Sequence, residues 1–182
     1  NENLKIINID SAKLNFVDLE KQKNYVELKK ISNNYEIISK YFNANKLIDD
    51  LFLSDSSDKL NIFNQNVSIK VKFDKVLIGD DEFINDLAGY FNLKNNEIVE
   101  AKLSSSFSSS EKLNLSIISN SGNKVTTFYS PNAKPFVKRY KFIKGFDEGS
   151  LDFYSVKTGE STTSKLKIYD FKLKELPALT KI

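Results

Sequence analysis

From residue 60 onward, apolar and polar side chains alternate along most of the chain, which is the pattern of strands that bury one face. In segment 67–78, every second residue is apolar over the first seven positions, and lysines and a serine lie between them. The phase changes around Asp74 and Lys75, so that Val76 and Ile78 continue the apolar face, as a β-bulge would produce. This segment is therefore predicted to be a half-buried strand.

The same alternation recurs in several later segments, with short turn sequences between them. Residues 79–81, 93–97 and 119–123 have the composition of tight turns. Strands that follow one another through short connections pair as antiparallel neighbours. The pattern therefore predicts an antiparallel sheet with strands at 67–78, 83–93, 99–107, 113–117, 151–156 and 166–173, and with a loop at 157–164.

Residues 130–140 interrupt this pattern and predict a short amphipathic helix. Ser130 can act as its N-cap with Pro131 at the first helical position, or the helix begins at Pro135. In either case Phe136, Val137 and Tyr140 fall on one apolar stripe, which predicts that the helix covers the sheet.

The first 60 residues have a less regular pattern. Segments 4–9, 12–17 and 24–31 are predicted to be strands, whereas 36–53 fits a helical stripe better, through Ile37, Ile38, Tyr41, Phe42, Ile48, Leu51 and Phe52. The polar run at 54–59 is the candidate boundary. We therefore divide the chain into 1–59, an N-terminal part of the sheet with a helix, and 60–182.

The apolar face of the predicted sheet needs a cover. Each strand carries about four apolar side chains on this face, and burial of each stabilises a protein by roughly 1.5–3 kcal/mol. Another sheet, a helix or lipid could supply the cover, so a closed sandwich core and a lipid-facing groove both remain open. The face consists of Val67, Ile69, Val71, Phe73, Leu87, Phe91, Leu103, Phe107, Leu113, Leu115 and Ile117.

Composition excludes several kinds of chemistry. The chain has no Cys and no His, so disulfides, thiolate sites and Ser-His-Asp or zinc catalysis are absent. Residues 80–82 lack the alternating ligands of a calcium loop. Asp152 and Asp170 are not expected to act as a pair of catalytic carboxylates, because both lie where strand faces turn polar. The serines of 104–110 are not expected to be nucleophiles, because the chain offers no partner base. The sequence therefore indicates a protein that is not an enzyme and has no metal site or cofactor.

Charge and hydropathy add two further expectations. The net charge of +3 is small and the lysines are dispersed among acidic residues, which argues against nucleic-acid binding. No apolar run is long enough for a transmembrane helix. Because the chain begins with Asn1, we expect it to be part of a longer protein, with any membrane anchor outside this segment.

Residues 125–182 follow a distinctive order of elements. A strand is followed by a Ser-x-x-Ala turn into a short apolar helix, a turn with glycine, another strand, and a last strand of the type Leu-x-Ile-x-Asp-Phe-x-Leu before Pro-x-Leu. This order resembles the C-terminal region of the AsmA-like family (the AsmA, TamB and YhdP type). The matching positions are Ser130, Asn132, Ala133, Phe136, Val137, Ile143, Gly145, Gly149, Leu151, Phe153, Leu166, Ile168, Asp170, Phe171, Leu173, Pro177, Ala178 and Leu179.

The similarity extends upstream to segment 67–91, which resembles the strand-turn-strand units that precede this region in the family. Three positions depart from the family pattern. Lys134 and Glu148 stand where the family has glycine, and Ser164-Lys165 stands where a glycine often opens the final strand.

The resemblance implies that 60–182 is an AsmA-like β-groove region, in which a long, twisted, open antiparallel sheet forms a groove with an apolar interior. It implies a non-enzymatic protein that binds phospholipid acyl chains and carries lipid between the inner and outer membranes. The expected location is the periplasm or cell envelope, with the parent protein anchored in the inner membrane through segments outside this chain.

Two alternatives remain open at this stage. The first is a carbohydrate-binding jelly roll; the chain has no Trp for stacking on sugars, but Tyr129, Tyr154 and Tyr169 could substitute. The second is a structural surface domain with no small ligand. An apolar face that is continuous and open would distinguish lipid binding from both.

Overall fold

The computed structural model describes residues 9–18, 21–46, 66–95, 97–140, 143 and 145–174. Most residues in this part of the chain lie in strands, and these strands belong to one sheet. The strands are β1 (Ser11–Val17), β2 (Lys23–Ile31), β3 (Asn34–Ser39), β4 (Phe42–Asn43), β5 (Val67–Leu77), β6 (Phe83–Lys94), β7 (Glu97–Ser106), β8 (Lys112–Asn120), β9 (Asn123–Ser130), β10 (Phe146–Thr158) and β11 (Ser161–Leu173). A short helix, α1 (Lys134–Tyr140), lies between β9 and β10. The predicted mainly β fold is confirmed.

The sheet is open and almost entirely antiparallel. Hydrogen bonding orders the strands as β1-β2-β3-β5-β6-β7-β8-β9-β10-β11, and β4 also pairs with β5. Within the described residues β1 and β11 each have a neighbour on one side only, so the sheet does not close into a barrel. The exception to antiparallel pairing is β5, which runs parallel to β3 and β4. Parallel neighbours need a crossover connection, which the chain makes between β4 and β5.

The predicted helix over 36–53 is wrong for the residues up to Asn43; of the described residues after β4, Asn45 and Lys46 are helical. Ile37 and Ile38 lie in β3, and Phe42 lies in β4. Ile37 pairs with Leu28 on one side and Val71 on the other, so tertiary pairing overrides the local helical spacing. Ile48, Leu51, Phe52 and the candidate boundary at 54–59 lie outside the described residues.

The last two strands are longer than the alternation predicts. The predicted loop at 157–164 is a tight turn at Gly159 and Glu160, and the residues around it belong to β10 and β11. Ser155 and Ser164 join across this hairpin by a hydrogen bond of 2.9 Å between their hydroxyl oxygens. Ser and Thr side chains near the turn hide these ends of the two strands from a search for apolar alternation.

The predicted change of phase in β5 is confirmed, but the pairing of β5 with β6 contains no bulge there. Asp74 and Lys75 are both exposed, whereas Val76 is buried with the apolar residues before it. The β5–β6 register is the same on both sides of Asp74, and Asp86 on β6 has a φ of 52°. The shift of register falls instead between β6 and β7, near Asn85.

Helix α1 begins at Lys134 rather than at Pro131 or Pro135. The Asn132 side-chain oxygen accepts a hydrogen bond from the Lys134 amide (3.1 Å), and the Ala133 carbonyl accepts from the Val137 amide (3.0 Å). Ser130 is fully buried and donates to the Asn132 carbonyl (2.6 Å), so it forms a turn before the helix and is not its N-cap.

Candidate functional site

The register of the sheet aligns one residue from each of nine neighbouring strands into a continuous row. Val71, for example, pairs with Ile37 on β3 and with Gly89 on β6. Neighbouring strands lie about 4.8 Å apart, so the eight steps of the row span roughly 38 Å. This central apolar row consists of Leu28, Ile37, Val71, Gly89, Leu103, Leu115, Phe128, Phe153 and Leu166.

The structure places the predicted groove residues on or beside this row, on one face of the sheet that we call the apolar face. Val67, Ile69, Val71 and Leu113 are buried. The other seven are half-buried: Phe73, Leu87, Phe91, Leu103, Phe107, Leu115 and Ile117. Phe73 and Leu87 pack against two buried clusters, one around Val67, Ile69 and Val71 and one around Val76, Ile84 and Leu113.

Sequence reasoning missed the ends of the row. Leu28 and Ile37 lie on β2 and β3, and Phe128, Phe153 and Leu166 lie on β9, β10 and β11. Alternation in 151–156 was a usable signal for Phe153. The signal for Ile37 was hidden by the helical spacing around it.

The apolar face is buried near β5 and opens toward β11. Val71 is buried, Leu103, Leu115 and Phe153 are half-buried, and Leu166 is 47% exposed. The described strands form one sheet, so no second sheet among them covers this face. A band of partly accessible apolar side chains therefore crosses the sheet.

Helix α1 covers one side of the apolar face, where β5 and β9 end. Val137 is 1% exposed and packs in a cluster with Phe146 and Leu151 of β10. Phe136 contacts this cluster and the one around Val76, and its ring meets Phe128 edge-on at 5.0 Å. Phe136 and Val137, two of the residues predicted to cover the sheet, make these contacts; the Tyr140 side chain lies outside the described part of the chain.

Arg139, the one arginine of the chain, links the helix to residues that follow β4 and β5. Its guanidinium donates hydrogen bonds to the Ile78 carbonyl (3.0 Å) and to the carbonyl and side-chain oxygens of Asn45. These groups lie beyond the ends of β5 and β4. Although α1 follows β9 in sequence, it is therefore linked to strands β4 and β5, which β6, β7 and β8 separate from β9 in the sheet.

A charged group links the start of α1 to the last two strands. The Asp147 carboxylate on β10 contacts the Lys134 ammonium at 2.8 Å and the Lys174 ammonium at 2.6 Å. Hydrogen bonds from Lys134 and Lys174 hold the pKa of Asp147 well below its usual range. Lys134 thus has a structural partner at a position where the family pattern has glycine.

The side of the apolar face opposite α1 ends in polar groups. The next row on this face, two residues along the strands from the central apolar row, runs from Ile117 through Thr126, Ser155 and Ser164. One step further, Lys124 and Lys157 lie directly opposite each other on β9 and β10. Burial lowers the pKa of Lys124, with Glu97 and Lys157 exerting opposed charge effects. We call Lys124 and Lys157 the lysine rim.

The other face of the sheet carries a cleft of about 550 Å³ over β7–β11. Tyr129, Tyr154 and Tyr169 line it, together with lysines and Asp152, whereas Asp170 does not. The polar lining includes Lys102, Asn114, Ser116, Thr127, Lys165 and Lys167. The backbone of the central apolar row forms its floor, because the lining side chains alternate with that row. We call this site the tyrosine cleft.

Comparison of the chain with protein-family models, with curated proteins and with solved structures finds no match. Among the residues described, no helix has the length and apolar character needed to cross a membrane. In the same residues, acidic side chains form no group of three or more that could hold a metal ion.

Proposed function

We propose that this chain is a non-enzymatic module that binds phospholipid acyl chains on its apolar face. The observation that supports this most directly is the central apolar row, which crosses nine strands and stays partly accessible from Leu103 onward. Contiguous accessible apolar surface on this scale is typical of sites for lipid or protein partners. Transfer of about ten methylene groups from water onto such a surface gains roughly 8 kcal/mol.

The dimensions of the apolar face suit an acyl chain. Along β9, the distance from Lys124 to Ser130, where α1 begins to cover the face, is six residues, or about 20 Å. One leaflet of a bilayer has a hydrocarbon depth of about 15 Å. Acyl chains would lie along the strands between the lysine rim and α1, with headgroups in water at the rim.

Movement of lipid would follow the row rather than the strands. The row offers an apolar side chain at eight of its nine strands, with Gly89 on β6, and it contains no charged residue. A non-specific contact of this kind allows acyl chains to slide perpendicular to the strands without breaking directional bonds. No residue of the module needs to carry out chemistry.

The resemblance of 60–182 to the AsmA-like family supports the same proposal, because it implies an open apolar groove with a short covering helix. Glu148, at a position where the family has glycine, has a φ of 59° and so adopts a conformation that glycine favours. We extend the proposal to the cellular role: the parent protein is anchored in the inner membrane and this module carries phospholipid across the periplasm of the cell envelope.

The test is lipid retention by the purified chain, measured by native mass spectrometry and lipid extraction. The wild-type chain should retain phospholipid. Leu115→Asp, which places a charge in the row, should lower the bound lipid at least about tenfold, because an ionised side chain is costly to bury against acyl chains. The matched control is Asn114→Asp, which adds the same charge on the opposite face of β8 and should retain lipid.

A second measurement covers the case in which Leu115→Asp does not fold. A photocrosslinking residue at position 115 should label bound phospholipid, and the same residue at position 114 should not. A wild-type chain that carries no lipid, and takes up none from labelled vesicles, would refute the proposal. Unfolding of both Leu115→Asp and Phe73→Asp, together with no lipid crosslinks from position 115, would also refute it. That combination is expected if these side chains lie in a closed protein core.

A further inference from the structure

The tyrosine cleft brings three aromatic rings together on the face opposite the central apolar row. Asp152 on β10 pairs with Tyr129 on β9 and with Lys167 on β11. Tyr154 and Tyr169 each lie two residues along their strands from this line, so the three rings surround Asp152. Their exposed fractions are between 41% and 48%. Clustering of large exposed rings in one cleft is a feature of binding surfaces.

Polar groups in the cleft differ from those elsewhere on the same face. Tyr90 donates a hydrogen bond to Glu100 (2.7 Å), and Tyr25 donates to Glu27 (3.0 Å). Within the part of the chain that the structure describes, the cleft tyrosines, Asp152 and the cleft lysines form no side-chain hydrogen bond or ion pair. The cleft therefore retains its donors and acceptors for a ligand.

The chemistry of the lining indicates the class of that ligand. Tyrosine rings present an apolar surface with a polar tip, which suits the alternating C–H and hydroxyl groups of a sugar ring. Asp152 can accept hydrogen bonds from hydroxyls, and amide and hydroxyl groups of Asn114 and Thr127 can donate and accept. Three lysines against one aspartate leave a net positive charge, which favours an anionic ligand.

We propose that the tyrosine cleft binds an acidic oligosaccharide. Sugar rings stack on Tyr129, Tyr154 and Tyr169, and sugar carboxylates contact Lys165 and Lys167. Single-stranded nucleic acid, whose bases also stack on aromatic rings, is the competing ligand, and the assay includes it as a probe. This site lies on the face opposite the apolar row, so it does not depend on lipid binding.

Tyrosine fluorescence provides the assay, because the chain has eight tyrosines and no tryptophan. The probes are tetragalacturonate, its neutral methyl ester and an oligothymidylate of similar length. We expect tetragalacturonate to bind at least about tenfold more tightly than the ester. Tyr154→Ala should weaken both sugars about fivefold or more, because stacking on one ring contributes on the order of 1 kcal/mol.

Charge variants separate a specific site from general attraction. Lys165→Gln/Lys167→Gln should remove the preference for the acid form and leave ester binding unchanged. Lys70→Gln/Lys72→Gln removes the same charge from exposed positions on β5, on the same face, and should preserve that preference. Both double variants should retain the lipid binding of the wild-type chain, so failure of the cleft and failure of the lipid proposal are distinguishable.

Three results would overturn the proposal. The first is no binding of either sugar at millimolar concentration to a chain that gives a folded circular dichroism spectrum. The second is an equal loss of tetragalacturonate binding in the Lys70→Gln/Lys72→Gln variant. The third is tighter binding of oligothymidylate than of both sugars, which would assign the cleft to single-stranded nucleic acid.

Discussion

Gly89 lies in the middle of the central apolar row, and its replacement by alanine should destabilise the sheet more than replacement of another glycine with positive φ. Gly89 has a φ of 154°. A Cβ atom at this position would lie 1.9 Å from the Lys102 carbonyl oxygen and 2.8 Å from the Leu103 Cα. Both contacts are with the backbone of β7, which cannot rotate away as a side chain can.

The expected magnitude has two parts. The strained backbone conformation costs an alanine roughly 1 kcal/mol. Relief of the Lys102 contact requires β6 and β7 to separate by more than about 1 Å, which breaks hydrogen bonds near the Gly89–Leu103 pair. Loss of two or three such bonds, at about 1 kcal/mol each, adds about 2–3 kcal/mol. We therefore expect Gly89→Ala to lower the free energy of unfolding by about 3–4 kcal/mol.

The control is Gly122→Ala in the β8–β9 turn. Gly122 has a φ of 83°, but no heavy atom lies within 4 Å of its virtual Cβ, so only the conformational cost of about 1 kcal/mol applies. With a urea m-value of about 2 kcal/mol/M, the midpoints should fall by about 1.5–2 M for Gly89→Ala and about 0.5 M for Gly122→Ala. Equal shifts would refute the steric argument.

Two further predictions concern charged groups. Contacts with Lys134 and Lys174 lower the pKa of Asp147, so they stabilise the fold fully at pH values above the unfolded-state pKa of about 3.9. This stabilisation is lost progressively as the pH falls below about 3.9 and Asp147 becomes protonated. The stability advantage of the wild-type chain over Asp147→Asn, measured by urea unfolding, should therefore be full at pH 6 and shrink below about pH 4; an advantage independent of pH would contradict this. At the lysine rim, Lys124→Gln/Lys157→Gln should weaken uptake of anionic phospholipid about 30-fold at low salt, from about 1 kcal/mol per lysine, and the difference should fade at high salt. An equal loss for zwitterionic phospholipid would show that the rim does not contact headgroup charge.

Local alternation was sufficient to predict the strands from β5 to β8, because the side-chain period of a strand is present in its own residues. It identified Val67, Ile69, Val71 and Leu115 as one face, and the register confirms that they share it. The same reasoning failed for Ile37 and its neighbours. Their spacing fits a helix, and only pairing with β2 and β5, which are distant in sequence, makes them a strand.

Register across strands is the information that a sequence pattern does not contain. The sequence offers Tyr129, Tyr154 and Tyr169 as sugar contacts, but their convergence on one cleft follows from the pairing of β9, β10 and β11. The link from Arg139 to Asn45 joins residues far apart in the chain and has no local signal. The start of α1 depends on an Asn132 side-chain contact that competes with a favourable Ser-Pro sequence.

The parallel pairing of β3 with β5 has a consequence for the order of folding. The antiparallel strands from β5 to β9 pair through short turns, whereas β3 and β4 join β5 only after the chain between β4 and β5, residues 44–66, has closed a loop. Closing a loop of this length costs about 1.5 kcal/mol more than closing a turn of about four residues. Non-local contacts of this kind also form slowly. The hairpins from β5 onward should therefore fold first, and β1–β4 should join them last and open first in native-state hydrogen exchange.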